Sequence, residues 1–235
     1  MNNLSILTYT NSKASDIHKP YFERINKYFN INRHIVLSDI KIDNYDVKTI
    51  IYNNTSDYYI QMINGLKEVK TDYVIYSQED YILFDVVDLI EINNLIKILD
   101  NDDKVSFIRL IYSGIDFQTN KYNNDLIYLK PDHNYFFSTQ ITIWRTSDLI
   151  KMFENSKTLT IWDEPNNSKY LMNLGKIGLC TNYKGKMVGG HYNSIIYPYI
   201  ATAIVKGKWN YSEYKDELDS IFSEYNIDKE IRGIR

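Results

Sequence analysis

The stretch Asp72-Tyr-Val-Ile-Tyr-Ser-Gln-Glu-Asp-Tyr-Ile-Leu83 runs an apolar segment, Tyr73 to Tyr76, into two adjacent carboxylates, Glu79 and Asp80. A second apolar segment, Tyr81 to Phe84, follows at once. Ionised carboxylates between apolar runs are costly to desolvate unless hydrogen bonds, cations or water meet them. A divalent cation carrying a phosphate ligand is one solution, because Mg²⁺ takes one or two carboxylates together with substrate phosphates. A solvated acidic turn leading into the next helix is the other.

The flanking segments decide what sheet this strand joins. Ser5 to Tyr9 reads as a short buried strand, and Asp16 opens a predicted helix with Ile17, Tyr21, Ile25 and Phe29 at four-residue spacing. His34 to Leu37 and Val47 to Tyr52 read as strands. The next helix carries Tyr59, Met62, Ile63, Leu66 and Val69 on one face, with Gly65 a weak point. After Asp80, Asp85 is predicted to cap a helix through Leu89, Ile92, Ile96 and Leu99, and Lys104 to Tyr112 is a further strand. Strand–helix alternation implies parallel pairing through right-handed crossovers, hence an α/β sheet. Ligands of such sheets collect outside the carboxyl ends of the strands. That rim holds Tyr9, Tyr52 to Asn54, and Gln78 to Asp80.

The second half is less regular. Leu126 to Leu129 and Thr139 to Trp144 read as strands, Ser147 as the cap of a short helix, and Trp162-Asp-Glu-Pro165 as the approach to another that Gly175 stops. Lys184 to Asn193 is glycine-rich and predicted to be mobile. The tail from Ser212 is an amphipathic helix with Leu218, Ile221, Phe222 and Tyr225, a candidate interface. No repeat or linker divides the chain. The expectation is a single domain over 1–235, with a nucleotide-binding half (1–115), an acceptor and catalytic half (116–210) and a C-terminal helix (211–235).

Bulk properties narrow the function classes. With 44% hydrophobic and 24% charged residues among 235, the chain can bury a sizeable core. A net charge of −3 without a basic run argues against nucleic acid as a partner. The lone Cys180 excludes an internal disulfide and reads as a small buried hydrophobe. Met1 to Tyr9 lacks the features of a secretory signal, and no run approaches the ~20 apolar residues of a spanning helix. The expectation is therefore a soluble, cytoplasmic protein. The 22 tyrosines offer rings with polar edges for stacking on sugars or bases. There is no Gly-x-x-x-x-Gly-Lys-Ser/Thr loop, Gly-x-Ser-x-Gly elbow, His-Glu-x-x-His or Cys-x-x-Cys pair.

In order and separation, Tyr-Val-Ile-Tyr-Ser-Gln-Glu-Asp-Tyr-Ile-Leu83, Ser-Thr-Gln-Ile-Thr-Ile-Trp144 and Ile-Trp-Asp-Glu164 resemble a small set of viral and bacterial proteins with the GT-A fold of glycosyltransferases. The resemblance spans roughly residues 4 to 210. It implies an α/β, Rossmann-like, mixed and mostly parallel central sheet flanked by helices. It also implies an acidic motif, usually Asp-x-Asp, that holds Mn²⁺ or Mg²⁺ against the diphosphate of a nucleotide sugar. The matching triplet is Gln78-Glu79-Asp80. Gln78 replaces the first carboxylate, and Asp80 keeps the position that ligates metal. For a viral chain the implied location is the host cytoplasm.

The resemblance sets each candidate beside an ordinary structural role. Asp163, with Glu164 beside it, falls where the fold keeps the base that takes the acceptor proton; helix capping by Asp163 or a helix-dipole contact by Glu164 accounts for them equally. His191, after Gly189-Gly190, is a candidate metal or diphosphate ligand, or a surface-turn histidine. Lys206 and Lys208 form a candidate basic lid over the pyrophosphate, or a solvated turn. Thr8, Tyr9 and Thr10 end the first strand where the base and ribose bind, with Asn53 and Asn54 as hydrogen-bonding candidates; core and turn roles account for them too. Arg109 points either inward or to solvent, and Trp144 and Trp162 are core aromatics or an acceptor platform. The function implied is transfer of a sugar from a UDP- or GDP-linked donor to a hydroxyl of a glycan acceptor, inverting and dependent on a divalent cation. A non-catalytic sugar-nucleotide or glycan binder, which Gln78 favours, and a nucleotidyltransferase are the alternatives.

Overall fold

The alternation expected of the first hundred residues is present in the computed structural model, which describes residues 3–113, 121–129, 136–157, 160 and 168–235. β1 (Leu4–Tyr9) leads through a 3-10 turn (Ser12–Ala14) into α1 (Ser15–Tyr28). β2 (His34–Ser38), β3 (Lys48–Ile51), α2 (Tyr58–Leu66) and β4 (Tyr73–Gln78) follow. α3 (Leu89–Asn101), β5 (Val105–Arg109), β6 (Leu126–Tyr128), β7 (Thr142–Arg145), α4 (Thr146–Ser156), α5 (Ser168–Asn173) and β8 (Ile177–Thr181) come next. Two short hairpins, β9 (Met187–Val188) with β10 (His191–Tyr192) and β11 (Ile204–Val205) with β12 (Lys208–Trp209), precede α6 (Lys215–Tyr225) and α7 (Lys229–Arg232).

Among the described residues, eight strands form one sheet in the order β3-β2-β1-β4-β7-β5-β8-β6. β1 to β4 pair in parallel. β7 lies antiparallel between β4 and β5, β8 is parallel to β5, and β6 is antiparallel to β8. The sheet is therefore mixed and mostly parallel. Alternate residues of β1 separate its two faces. Leu4 and Ile6 join Tyr21, Ile25 and Ile75 on one side, while Leu7 joins Leu37, Met62 and Trp144 on the other. Trp144 is thus a core residue, packed 4.2 Å from the Phe107 ring.

Several local expectations are corrected by tertiary contacts. α3 is capped by Asp88, whose Oδ1 accepts from the amides of Ile90 (3.0 Å) and Glu91 (2.9 Å), rather than by Asp85. The helix starts late because residues 83–88 first bond to the chain near 196–199, through Phe84 N to Pro198 O and Asp88 N to Ile196 O. α2 ends at Leu66, short of Val69. Gly65 is a point of close approach: a Cβ there would lie 2.5 Å from the Leu37 side chain. Ser147 lies inside α4, not at its cap. Gly175 does end α5, in a left-handed conformation with its amide donating to Met172 O.

The segment 184–193, predicted to be mobile, contains the β9–β10 hairpin turned by Gly189 and Gly190. The Tyr214 hydroxyl ties it down at Val188 O (3.0 Å). The tail helix is no free interface either. Leu218, Ile221 and Phe222 of α6 cover Ile17, Ile82 and Trp209, and Glu224 pairs with the buried Arg24 of α1. Burying side chains of this size stabilises the fold by about 1.5–3 kcal/mol each. Among the described residues no helix is long and apolar enough to cross a membrane. Cys180 is buried, and burial pushes its thiol up.

Candidate functional site

β2 lies on one side of β1 and β4 on the other, so the strand order turns back between β1 and β4. There Tyr9 and Gln78 are register partners. Ligands in open α/β sheets bind at such a switch point. A cleft of about 640 Å³ opens at it, and Tyr9, Gln78, Glu79, Asp80, His191 and Lys206 are among the residues that line it.

The two carboxylates owe their position to the end of β4. The Tyr81 amide donates to Gln78 O at 3.0 Å, closing a turn with Glu79 and Asp80 at its centre. The Asp80 carbonyl in turn accepts from the Ala203 amide at 3.2 Å. Both side chains are half-buried. Burial pushes both carboxyls well above the usual range, and the neighbouring charge of Asp80 adds to the effect on Glu79. The Thr10 hydroxyl and Arg232 oppose this weakly at Glu79, as the Ile204 amide does at Asp80. Such a pair favours protons or a cation.

Aromatic packing fixes the wall beside them. Tyr9 stacks on Tyr52 with centroids 5.2 Å apart and planes within 1°, and its hydroxyl donates to Gln61 Oε1 at 2.7 Å. Gln78 Nε2 donates to the Tyr76 hydroxyl at 3.1 Å. Thr8 belongs to the core: its hydroxyl bonds Tyr21 and His34, each at 2.7 Å. Thr10 is also buried, bonded to His18 at 2.9 Å, and sits behind Glu79. Asn53 accepts from Thr55 in a local turn and Asn54 donates to Asp39 at 3.1 Å; both are exposed, and neither lines the cleft.

Lys206 reaches the cleft from the two-residue turn of the β11–β12 hairpin, in which Lys206 (φ 51°) and Gly207 (φ 78°) are both left-handed. Lys208 is exposed on the outgoing strand, outside the lining. His191 lies between this cleft and a second one of about 310 Å³ beneath the β9–β10 hairpin, lined by Arg109, Tyr112 and Tyr192 among others. Desolvation, aided by the charge of Arg109, lowers the imidazole's proton affinity. Arg109 is buried, donating to Ser113 Oγ (2.6 Å) and Phe136 O (3.0 Å). Among the described residues no three His, Cys, Asp or Glu side chains gather into a metal-binding group, so His191 does not complete one with Glu79 and Asp80. Asp163, Glu164 and Trp162 lie outside the described residues.

Other lining residues were not anticipated. Asn11 and Lys13 follow β1 directly, and the rim rule applied to that loop would have found them. Ser138 precedes the expected strand from Thr139 to Trp144, and Thr139 and Gln140 are free to line the cleft because β7 begins only at Thr142. Gln140 Oε1 accepts from the Tyr199 hydroxyl at 2.6 Å, and its Nε2 donates to Ala201 O at 3.2 Å. Arg232 enters from the distant α7, with no local signal.

No protein-family model and no curated protein matches this sequence. Among solved structures the chain is similar to the mannosyltransferase PcManGT from Pyrobaculum calidifontis in complex with GDP-Man and Mn²⁺. The identity is 10% and the TM-score 0.54, over 96% of this chain and 64% of that one. It is similar to S. aureus TarS at 12% identity and a TM-score of 0.53, over 98% of this chain and 41% of that one. The fold is GT-A-like. This chain spans less than two thirds of the length of either protein. A CMP:2-keto-3-deoxy-manno-octonic acid synthetase complexed with CTP overlaps at a TM-score of 0.49 and 13% identity, over 76% of this chain and 88% of that one. In the GT-A-like frame, the acidic turn stands at the switch point of the sheet and the lysine hairpin lines the same cleft.

Proposed function

We propose that this chain is a glycosyltransferase that moves a sugar from a nucleoside diphosphate donor, UDP- or GDP-linked, to a hydroxyl of a glycan acceptor. The observation that carries this reading is the Glu79–Asp80 turn. Two carboxylates with raised proton affinity face a cleft that also receives Lys206, in a fold similar to that of a mannosyltransferase bound to GDP-Man and Mn²⁺. A divalent cation fits this donor pair, since burial disfavours the two ionised carboxylates, Arg232 opposes this only weakly at Glu79 among the described residues, and diphosphate and water supply further oxygens. When bound, the cation supplies neutralisation of the charge that develops on the leaving diphosphate.

The residues divide the remaining work. Asp80, with Glu79, would hold the cation. Tyr9 and Gln78 form the wall toward base and ribose, and the Lys206 ammonium meets phosphate oxygens. Asp163, with Glu164 adjacent in sequence, is the proposed base, removing the acceptor hydroxyl proton as the oxygen attacks the anomeric carbon from the face opposite the diphosphate. That geometry inverts the anomeric centre. Orientation of the two substrates and neutral pairing of the leaving group account for most of the acceleration.

The test is a thermal-shift series with UDP-, GDP-, dTDP- and CMP-sugars, each with Mn²⁺ and with EDTA, followed by donor hydrolysis assays. Saturation at a hundredfold excess over Kd corresponds to about 2.7 kcal/mol of added stability. A cation-dependent shift with one nucleotide family, and slow donor hydrolysis without acceptor, is the expected result. Folded protein that binds no donor overturns the reading. Binding without turnover points to a non-catalytic binder, and pyrophosphate released from a nucleoside triphosphate and a sugar phosphate points to a nucleotidyltransferase.

A further inference from the structure

Arg232 ends α7, far in sequence from the acidic turn, yet it lines the same cleft as Glu79, Asp80, Lys13 and Lys206. Its guanidinium joins two loops that carry those lysines. Nε donates to Asp16 Oδ2 at 2.8 Å, and Nη2 donates to Asp16 Oδ1 and, at 3.4 Å, to the Lys13 carbonyl. Nη1 donates to the Gly207 carbonyl at 3.2 Å, and the group lies 5.8 Å from the centre of the Trp209 ring. The segment behind Arg232 is itself fastened to β12. Trp209 N donates to Gly233 O (3.0 Å), Arg235 N to Trp209 O (2.9 Å), and Ser212 N to Arg235 O (2.8 Å).

A planar fork of this kind fixes several carbonyls and a carboxylate at once, which a lysine ammonium cannot reproduce. Lys13 and Lys206 are both exposed, and each would otherwise lose its freedom only on binding. Lys206 also sits at φ 51°, an unfavourable conformation for a residue with a side chain, and such outliers cluster at ligand clamps.

We infer that Arg232 is the positioning residue of a diphosphate clamp, stapling the Lys13 turn to the Lys206–Gly207 turn so that both ammonium groups face a cation-bound diphosphate held from the other side by Glu79 and Asp80. The inference rests on the proposed donor site and names how its phosphate half is assembled. The cation is held by carboxylates and the phosphate oxygens by the lysines, so the two halves of the site separate experimentally.

Calorimetric titration with inorganic pyrophosphate and with UDP and GDP, each with Mn²⁺, and with Mn²⁺ alone, is done on the wild type and on Arg232→Ala, Arg232→Lys, Asp16→Asn, Lys13→Ala and the Lys13→Ala/Arg232→Ala double variant. Circular dichroism checks folding, and Asp16→Asn loosens the staple without altering a cleft cation should Arg232→Ala fail to fold. Expected are a loss of about tenfold in pyrophosphate affinity for Arg232→Ala and nearly as much for Arg232→Lys, with Mn²⁺ affinity within about twofold of wild type. The double variant should lose less than the product of the single losses. Wild-type pyrophosphate affinity in folded Arg232→Ala overturns the clamp, and full rescue by Arg232→Lys overturns positioning in favour of simple charge. Wild type that binds neither pyrophosphate nor either nucleotide overturns the donor site itself, a different failure from the variant results.

Discussion

The Asp80 carbonyl accepts the amide of Ala203 at 3.2 Å, one residue before β11. That single bond couples the acidic turn at the end of β4 to the hairpin that brings Lys206 into the cleft. The two backbone turns that carry charges of opposite sign into the candidate cleft are therefore tied together.

Asp80→Asn should separate stability from binding. It removes a half-buried charge whose ionised form is disfavoured by desolvation, so the variant should be more stable than wild type by about 1–2 kcal/mol at pH 8 in EDTA. The same variant should lose cation-dependent donor binding. Urea denaturation and donor titration check the two effects; unchanged donor binding removes Asp80 from the cation site.

Stability should also depend on pH in a defined direction. The folded state raises the proton affinity of both Glu79 and Asp80. Above their unfolded values, near 4, the folded chain holds protons that the unfolded chain has released, so stability falls as pH rises. The slope is at most about 1.4 kcal/mol per pH unit for each group. Denaturation in EDTA from pH 5 to 8 should show this decline from the pair, and Mn²⁺ should offset it most at the alkaline end. The same pH dependence in wild type and in the Glu79→Gln/Asp80→Asn double variant would contradict the assignment.

Lys206 occupies the first position of a two-residue hairpin turn with φ 51°, where Asn-Gly is the favoured pair. Lys206→Asn should stabilise the fold by about 0.5–1 kcal/mol while raising the donor KM several-fold. Thermal denaturation and steady-state kinetics report the two effects. A variant that is no more stable, with unaltered KM, would mean that the turn is neither strained nor functional.

Gly65→Ala should destabilise despite its better helix propensity. The added methyl would meet the Leu37 side chain at 2.5 Å, and overpacking of this kind costs about 1–3 kcal/mol against a propensity gain near 1. Gly65→Ala/Leu37→Ala should recover part of the first loss, which a double-mutant cycle in urea would measure.

Local pattern was enough to read the β1-α1-β2 and β3-α2-β4 segments, because apolar spacing and turn residues act over a few positions. It also located the acidic turn, since a strand ending in Glu79-Asp80 has few apolar alternatives. It failed where a competing contact came from far away. Asp88 rather than Asp85 caps α3 because residues 83–88 first bond to 196–199. The 184–193 segment is ordered as a hairpin against Tyr214, a contact absent from its own composition.

The α/β alternation, the acidic end of β4 and the lysine-glycine turn are legible in the order of residues, because short-range spacing and backbone preference produce them. Long-range packing places antiparallel β7 between β4 and β5, commits Thr8 to the Tyr21–His34 network, and brings Lys13, Lys206 and Arg232 to one cleft. Strand order and the meeting of groups 219 positions apart, as between the Arg232 guanidinium and the Lys13 carbonyl, depend on which buried faces pack together. That is a property of the whole chain, and no local window contains it.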